Sequence, residues 1–129
     1  MANELVLIVE DNDKNRKLER DVLQAKGYRI VETDNAEDGL VLARERQPAL
    51  ILMDFHLPGI DGIEALARLR DDPATRSIPV IAVTASAMTE DLQKIVAAGF
   101  DGLQTKPIHV KDFVRIVGET IARVGDRAA

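Results

Sequence analysis

Cysteine and tryptophan are absent from this 129-residue sequence, and aromatic rings come from only three phenylalanines and one tyrosine. Disulfides, thiolate metal sites and a cysteine nucleophile are therefore excluded, and the lack of cysteine agrees with a reducing compartment. A basic face is missing as well. Seventeen Lys and Arg stand against 22 Asp and Glu, a net charge of -5, with no basic cluster to track a phosphate backbone. That balance argues against a nucleic-acid binder. No apolar run approaches the roughly 18 residues of a membrane span, and in "MANELVLIVED" a short apolar run ends in acid, unlike a signal peptide. The expectation is one acidic, soluble, cytoplasmic domain, long enough for a complete core, with no nucleic acid or membrane as partner.

Five short apolar runs alternate with amphipathic segments: "LVLIV" (5–9), "RIVET" (29–33), "LILM" (50–53), "PVIAVT" (79–84) and "GLQT" (102–105). The first, third and fourth are apolar almost throughout, as strands covered on both faces are. The second is more polar and the fifth weak, which suits edges. The intervening segments read as helices. One spans about 13–26 with a thin stripe of Leu18, Val22 and Leu23 and stops at Gly27. One starts at Asn35 and closes before Pro48. One follows Asp61 with Ile63, Leu66 and Leu69, and one covers about 87–98 with Leu92, Ile95 and Val96. The last begins near Val110, with Phe113, Val114, Val117 and Ile121 as one buried face and roughly eight residues of frayed tail beyond. Strand and helix repeated five times predict an α/β fold: a five-stranded parallel sheet with helices on both faces. Right-handed crossovers make the flavodoxin-like (βα)5 order 2-1-3-4-5 the natural candidate, with ligands beyond the strands' carboxyl ends between strands one and three.

Those ends carry the chemistry. Strand one ends in Glu10-Asp11, strand three in Asp54, strand four in Thr84 and strand five in Lys106-Pro107. Three carboxylates a few ångströms apart repel by roughly 4 kcal/mol per pair at about 4 Å and an effective dielectric near 20. Either their pKa values rise or a cation sits among them, and an all-oxygen set suits Mg²⁺. A metal, a lysine, a hydroxyl and a nucleophilic carboxylate form a set for phosphoryl transfer, with Asp54 able to attack phosphorus and become an aspartyl phosphate. An apolar strand then ends on a carboxylate because the chemistry needs a fixed, partly desolvated one.

"LIVEDN", "LILMDFHLPGIDG", "IPVIAVTA" and "TKPI", in that order and spacing, resemble the receiver (CheY-like) domain of the response regulators of bacterial-type two-component signalling. The resemblance covers nearly the whole chain and implies a receiver domain over 1–121, a tail over 122–129 and no output domain. "VEDNDKN" and "TKPI" are closer to the DivK-like cell-division regulators than to the chemotaxis type. The resemblance also implies the roles. Asp54 accepts phosphate from a sensor histidine kinase or phosphotransfer protein of a phosphorelay. Asp11, Asp54 and the backbone carbonyl of His56 ligate Mg²⁺, Glu10 acts through water, Thr84 and Lys106 meet the phosphoryl oxygens, and the bond before Pro107 is cis. Such a protein promotes its own phosphorylation and dephosphorylation but is a signalling protein, not an enzyme. Its kinase docks near Asn15, Arg16 and the "PIH" loop, and its output surface is helix four, strand five and helix five, open to a downstream partner or a second copy.

Some residues keep two readings. Asp11, Asn12 and Asp13 are all able to cap the first helix. The His56 side chain either overhangs the phosphoryl group and gates water or lies exposed in its loop, and Ser86 faces the same choice. His109 reads as a cap or surface residue. Three residues before the lysine, where many receivers carry an aromatic switch residue, stands Leu103; with Ile116 it is expected to help form an apolar patch. Two other functions compete. A phosphorylation-independent adaptor would keep the fold without the chemistry. A haloacid-dehalogenase-like phosphatase would want a second acid where His56 stands.

Overall fold

The computed structural model describes residues 3–85 and 89–128. The elements alternate as β1 (Leu5–Val9), α1 (Asp13–Ala25), β2 (Arg29–Thr33), α2 (Ala36–Arg46), β3 (Leu50–Asp54), α3 (Gly62–Asp71), β4 (Val80–Thr84), α4 (Thr89–Ala98), β5 (Gly102–Thr105) and α5 (Val110–Ala128). All neighbouring strands are parallel, in the order β2-β1-β3-β4-β5. The expected topology is the observed one, and β1 and β3 lie side by side, with Val9 opposite Met53.

Alternation along the strands divides the core. Leu7, Val9, Ile51 and Met53 point to one face, where Leu66 and Leu69 of α3 and Ala43 of α2 cover them. Val6, Ile8, Leu50 and Leu52 point to the other, against Leu23 of α1 and Phe113 and Val117 of α5. Each such fully buried aliphatic contributes about 2 kcal/mol of transfer free energy. β1, β3 and β4 are buried along their whole lengths, whereas β2 and β5 are partly exposed edges, as their compositions imply.

Among the described residues, three helices begin on side-chain caps. Asn12, Asn35 and Asp61 each accept a bond from the backbone N–H three residues on, at 2.9, 2.8 and 2.9 Å. Gly27 closes α1 in the left-handed conformation with φ 95°. Gly62 is required for another reason. A Cβ there would lie 3.1 Å from Phe55 Cα and 3.3 Å from the Asp54 carbonyl oxygen, so glycine lets α3 start this close to the end of β3 without displacing that backbone by a few tenths of an ångström.

The helix faces differ in places from their periodicity. On α1 the buried residues are Glu19 and Leu23, while Leu18 is exposed. On α4 it is Ile95 that is buried, and Val96 is 75% exposed. α5 stays helical through Ala128, so the segment read as a frayed tail continues the helix. Leu103 packs with Ile95 and Ala82, whereas Ile116 packs with Phe113 and Val117 in a different cluster, so the patch expected of them is divided between two clusters. No described helix is long and apolar enough to cross a membrane.

Candidate functional site

At the carboxyl ends of the central strands, one carboxylate oxygen each from Glu10, Asp11 and Asp54 lies within 4.8 Å of the others. Glu10 and Asp54 are buried and Asp11 is exposed, which leaves the cluster open on one side. The backbone holds Glu10 and Asp54 in place. Glu10 N–H donates to the Thr33 carbonyl at 3.1 Å, extending the β1–β2 pairing, and Phe55 N–H donates to the Val83 carbonyl at 2.8 Å, extending β3 on β4. Asp54 Oδ1 accepts from His56 N–H at 3.0 Å.

Lys106 reaches the cluster from the far edge. The Lys106–Pro107 bond is cis. Lys106 Nζ lies 2.8 Å from Glu10 Oε1 and donates to Asp54 Oδ2 at 3.3 Å. Its own backbone N–H donates to the Thr84 carbonyl at 2.8 Å, tying the lysine to the end of β4, where Thr84 is fully buried.

The charges settle unequally. Burial pushes the Glu10 carboxyl up, its hydrogen bond to Asp54 adds to this, and Lys106 opposes both, leaving it at about 7. Burial also pushes Asp54 up, but the hydrogen bonds from Glu10 and from the His56 N–H, with the charge of Lys106, hold it below the ordinary carboxylate value. Lys106 is pushed down by burial and raised further by Glu10 and Asp54, so it stays protonated. Near neutral pH the resting site thus holds an ionised Asp54, a charged lysine and a glutamate close to half protonation.

The remaining residues are placed as follows. The His56 ring is exposed, stacks edge-on against Phe55 at a centroid distance of 4.9 Å and puts Nε2 3.6 Å from Asp91 Oδ2 of α4. Ser86 lies outside the described residues. Arg16 is tied to the site itself: its Nη1 donates to the Glu10 carbonyl at 2.8 Å, and its Nη2 pairs with Asp13 at 2.6 Å.

One acid escaped the sequence reading. Glu19 on α1 is 1% exposed, and burial with the nearby charges of Glu10 and Asp54 pushes it up to about 8 against the pull of Lys106. A glutamate flanked by Leu18 and Arg20 reads as part of a solvated face. The signal was its spacing, four residues before the buried Leu23 and so on the same helix face.

An open parallel sheet with acids gathered at its β1/β3 switch point and a lysine brought over from the edge defines a doubly wound domain with a charged site at its strand ends. The family profile described as the response regulator receiver domain matches residues 6–118, and the chain belongs to that family. Among curated proteins it is 47% identical over 112 residues to the polar-differentiation response regulator DivK of Brucella anthropi, covering 87% of this chain and 91% of that protein. The DivK of Brucella ovis is 46% identical over the same length and shares. Among solved structures, a response regulator from Chloroflexus aurantiacus superposes with a TM-score of 0.89 at 28% identity, over 93% of this chain and 98% of that one. The receiver domain of a sensor histidine kinase from Pseudomonas aeruginosa, with a magnesium ion coordinated in its active-site cleft, superposes with a TM-score of 0.87 at 30% identity, over 93% and 98%.

Proposed function

We propose that this chain is a DivK-like cytoplasmic receiver that takes a phosphoryl group onto Asp54 from a phosphohistidine of a kinase or phosphotransfer protein. The observation that carries this reading is the meeting of Glu10, Asp11 and Asp54 within 4.8 Å, with Lys106 bridging two of them. In the transfer, an Asp54 oxygen forms the new P–O bond as the bond from phosphorus to the donor imidazole nitrogen breaks, the electron pair returning to the ring. Ionised Asp54 supplies the nucleophile. Lys106, already 3.3 Å from Asp54 Oδ2, has further N–H donors for a phosphoryl oxygen, and the Thr84 hydroxyl serves another.

The donor set fits Mg²⁺: hard oxygens only, two of them buried and one open to solvent. Asp11, Asp54 and the His56 carbonyl would hold the ion, with Glu10 acting through water. When bound, it supplies charge neutralisation for the gathered carboxylates and the incoming phosphoryl oxygens. The solved relative with magnesium in its cleft supports this assignment.

The added group brings about -1.5 to -2 charges and new acceptor oxygens. Thr84 and Lys106 are drawn toward it, and Leu103, packed with Ile95 of α4 where many receivers have an aromatic, answers with a small repacking. The downstream partner or second copy reads that change on α4, β5 and α5, while the donor docks by Asn15, Arg16 and the loop after Pro107. The complete acid, hydroxyl and lysine set favours this reading over a phosphorylation-independent adaptor. His56 in the place of a second acid, its Nε2 3.6 Å from Asp91 Oδ2, disfavours a haloacid-dehalogenase-like phosphatase.

The test is intact mass with a small acyl-phosphate donor, with and without Mg²⁺, on the wild type and Asp54→Asn. A Mg²⁺-dependent gain of one phosphoryl group, lost in the variant, is expected. A gain that persists in the variant, or none even with a histidine-phosphorylated donor protein, overturns the reading.

A further inference from the structure

α1 bonds Glu10 through Arg16 and comes near it again one turn on. Arg16 holds its main-chain carbonyl at 2.8 Å, and one turn further on, on the same helix face, stands the carboxyl of Glu19. Glu19 occupies a core position, in line with the fully buried Leu23, where an apolar side chain would fill the space without the cost of desolvating an acid. Among the described residues, neither Glu19 Oε2 nor Glu10 Oε1 has a hydrogen-bond partner, although Glu10 Oε1 lies 2.8 Å from Lys106 Nζ. The Glu19 carboxyl approaches that of Glu10 closely enough to share a hydrogen bond once one of the two carries a proton, and it lies within the field of Asp54 and Lys106. It thus lies, buried, on the α1 side of Glu10.

We propose that Glu19 is a positioning residue for the cation site: its buried carboxyl braces Glu10 from behind and fixes the orientation in which Glu10 meets Lys106 and the ion's hydration shell. The inference rests on the receiver reading above and adds to it a residue from outside the strand ends. Side chains that hold metal ligands in place commonly change affinity by tenfold or more when removed. Glu19 is closer to a ligand that acts through water, so the lower end of that range applies.

The experiment is calorimetric titration of Mg²⁺ into the metal-free wild type, Glu19→Leu and Glu19→Gln, with circular dichroism to establish that each is folded. Glu19→Leu should weaken binding roughly tenfold, while Glu19→Gln, whose amide still reaches Glu10, should stay within about twofold of the wild type. A merely structural role would not separate these two folded variants. A folded Glu19→Leu protein with wild-type affinity overturns the proposal. So does Glu19→Gln losing as much as Glu19→Leu, because charge rather than contact would then be acting. No binding by the wild type defeats the underlying reading instead, and that arm is read independently of the variants.

Discussion

Replacing Glu19 with leucine should change the pH dependence of stability in metal-free buffer. Its carboxyl rises from an ordinary 4.5 to about 8 on folding, through burial first and then the charges of Glu10 and Asp54. Below pH 4.5 the group is protonated in both states and its contribution is fully present. Between 4.5 and about 8 the unfolded chain gives up the proton while the folded one keeps it. Stability therefore declines as pH rises, until the folded group ionises. Each pH unit in that window is worth about 1.4 kcal/mol at most, so the interval from about pH 6 to about pH 8 carries roughly 2 kcal/mol. Leucine at position 19 has no such slope, and Glu10 titrates in both proteins, so the comparison reads Glu19 together with its coupling to Glu10. The unfolding free energy of Glu19→Leu minus that of the wild type should accordingly grow by about 2 kcal/mol over that interval. Urea denaturation followed by circular dichroism measures it without relying on tryptophan. A difference that stays flat would mean that Glu19 is solvated or already paired, and the argument from burial would fail.

Lys106→Met removes the cation that lowers Asp54 and opposes the rise of Glu10. Both acids should titrate higher in the variant, seen in their ¹³C carboxyl shifts, and stability near pH 7 should drop by about 3 kcal/mol, the lower end for a broken buried pair because Glu10 can take up a proton. An unmoved Asp54 titration would refute the coupling. Gly62→Ala sets a methyl 3.1 Å from Phe55 Cα. We expect a loss of about 1–3 kcal/mol in urea melts and slower phosphorylation of Asp54, since relief must move the end of β3. Wild-type values for both would show that α3 can retreat freely.

The sheet was legible because its signals are local. Apolar runs of four to six residues, Asn and Asp caps and Gly27 specify strands and helix ends within short windows. The gathering of Glu10, Asp11 and Asp54 followed from strand order alone. What stayed hidden depends on which of two overlapping helix faces meets the sheet. In α1, Leu18 and Val22 suggest one stripe and Leu23 fits another, and contact with β1 and α5 selects the face that buries Glu19. In α4 the same ambiguity leaves Val96 outside and Ile95 inside. The His56–Asp91 pair joins residues on separate elements, so no local pattern announces it. The continuation of α5 to Ala128 was obscured because a polar, charged ending reads as fraying.

The bond from Lys106 N–H to the Thr84 carbonyl continues the β4–β5 ladder one step beyond the last paired residues, Thr84 and Thr105. The hydroxyl and the ammonium are therefore mounted on a single frame whose width is set by a main-chain rung. They can swing toward a new charge, but their anchor points do not part to do so. On the proposed reading, a phosphoryl group on Asp54 would be answered by the angles of side chains and the packing above them, with the main-chain rung as their common ruler.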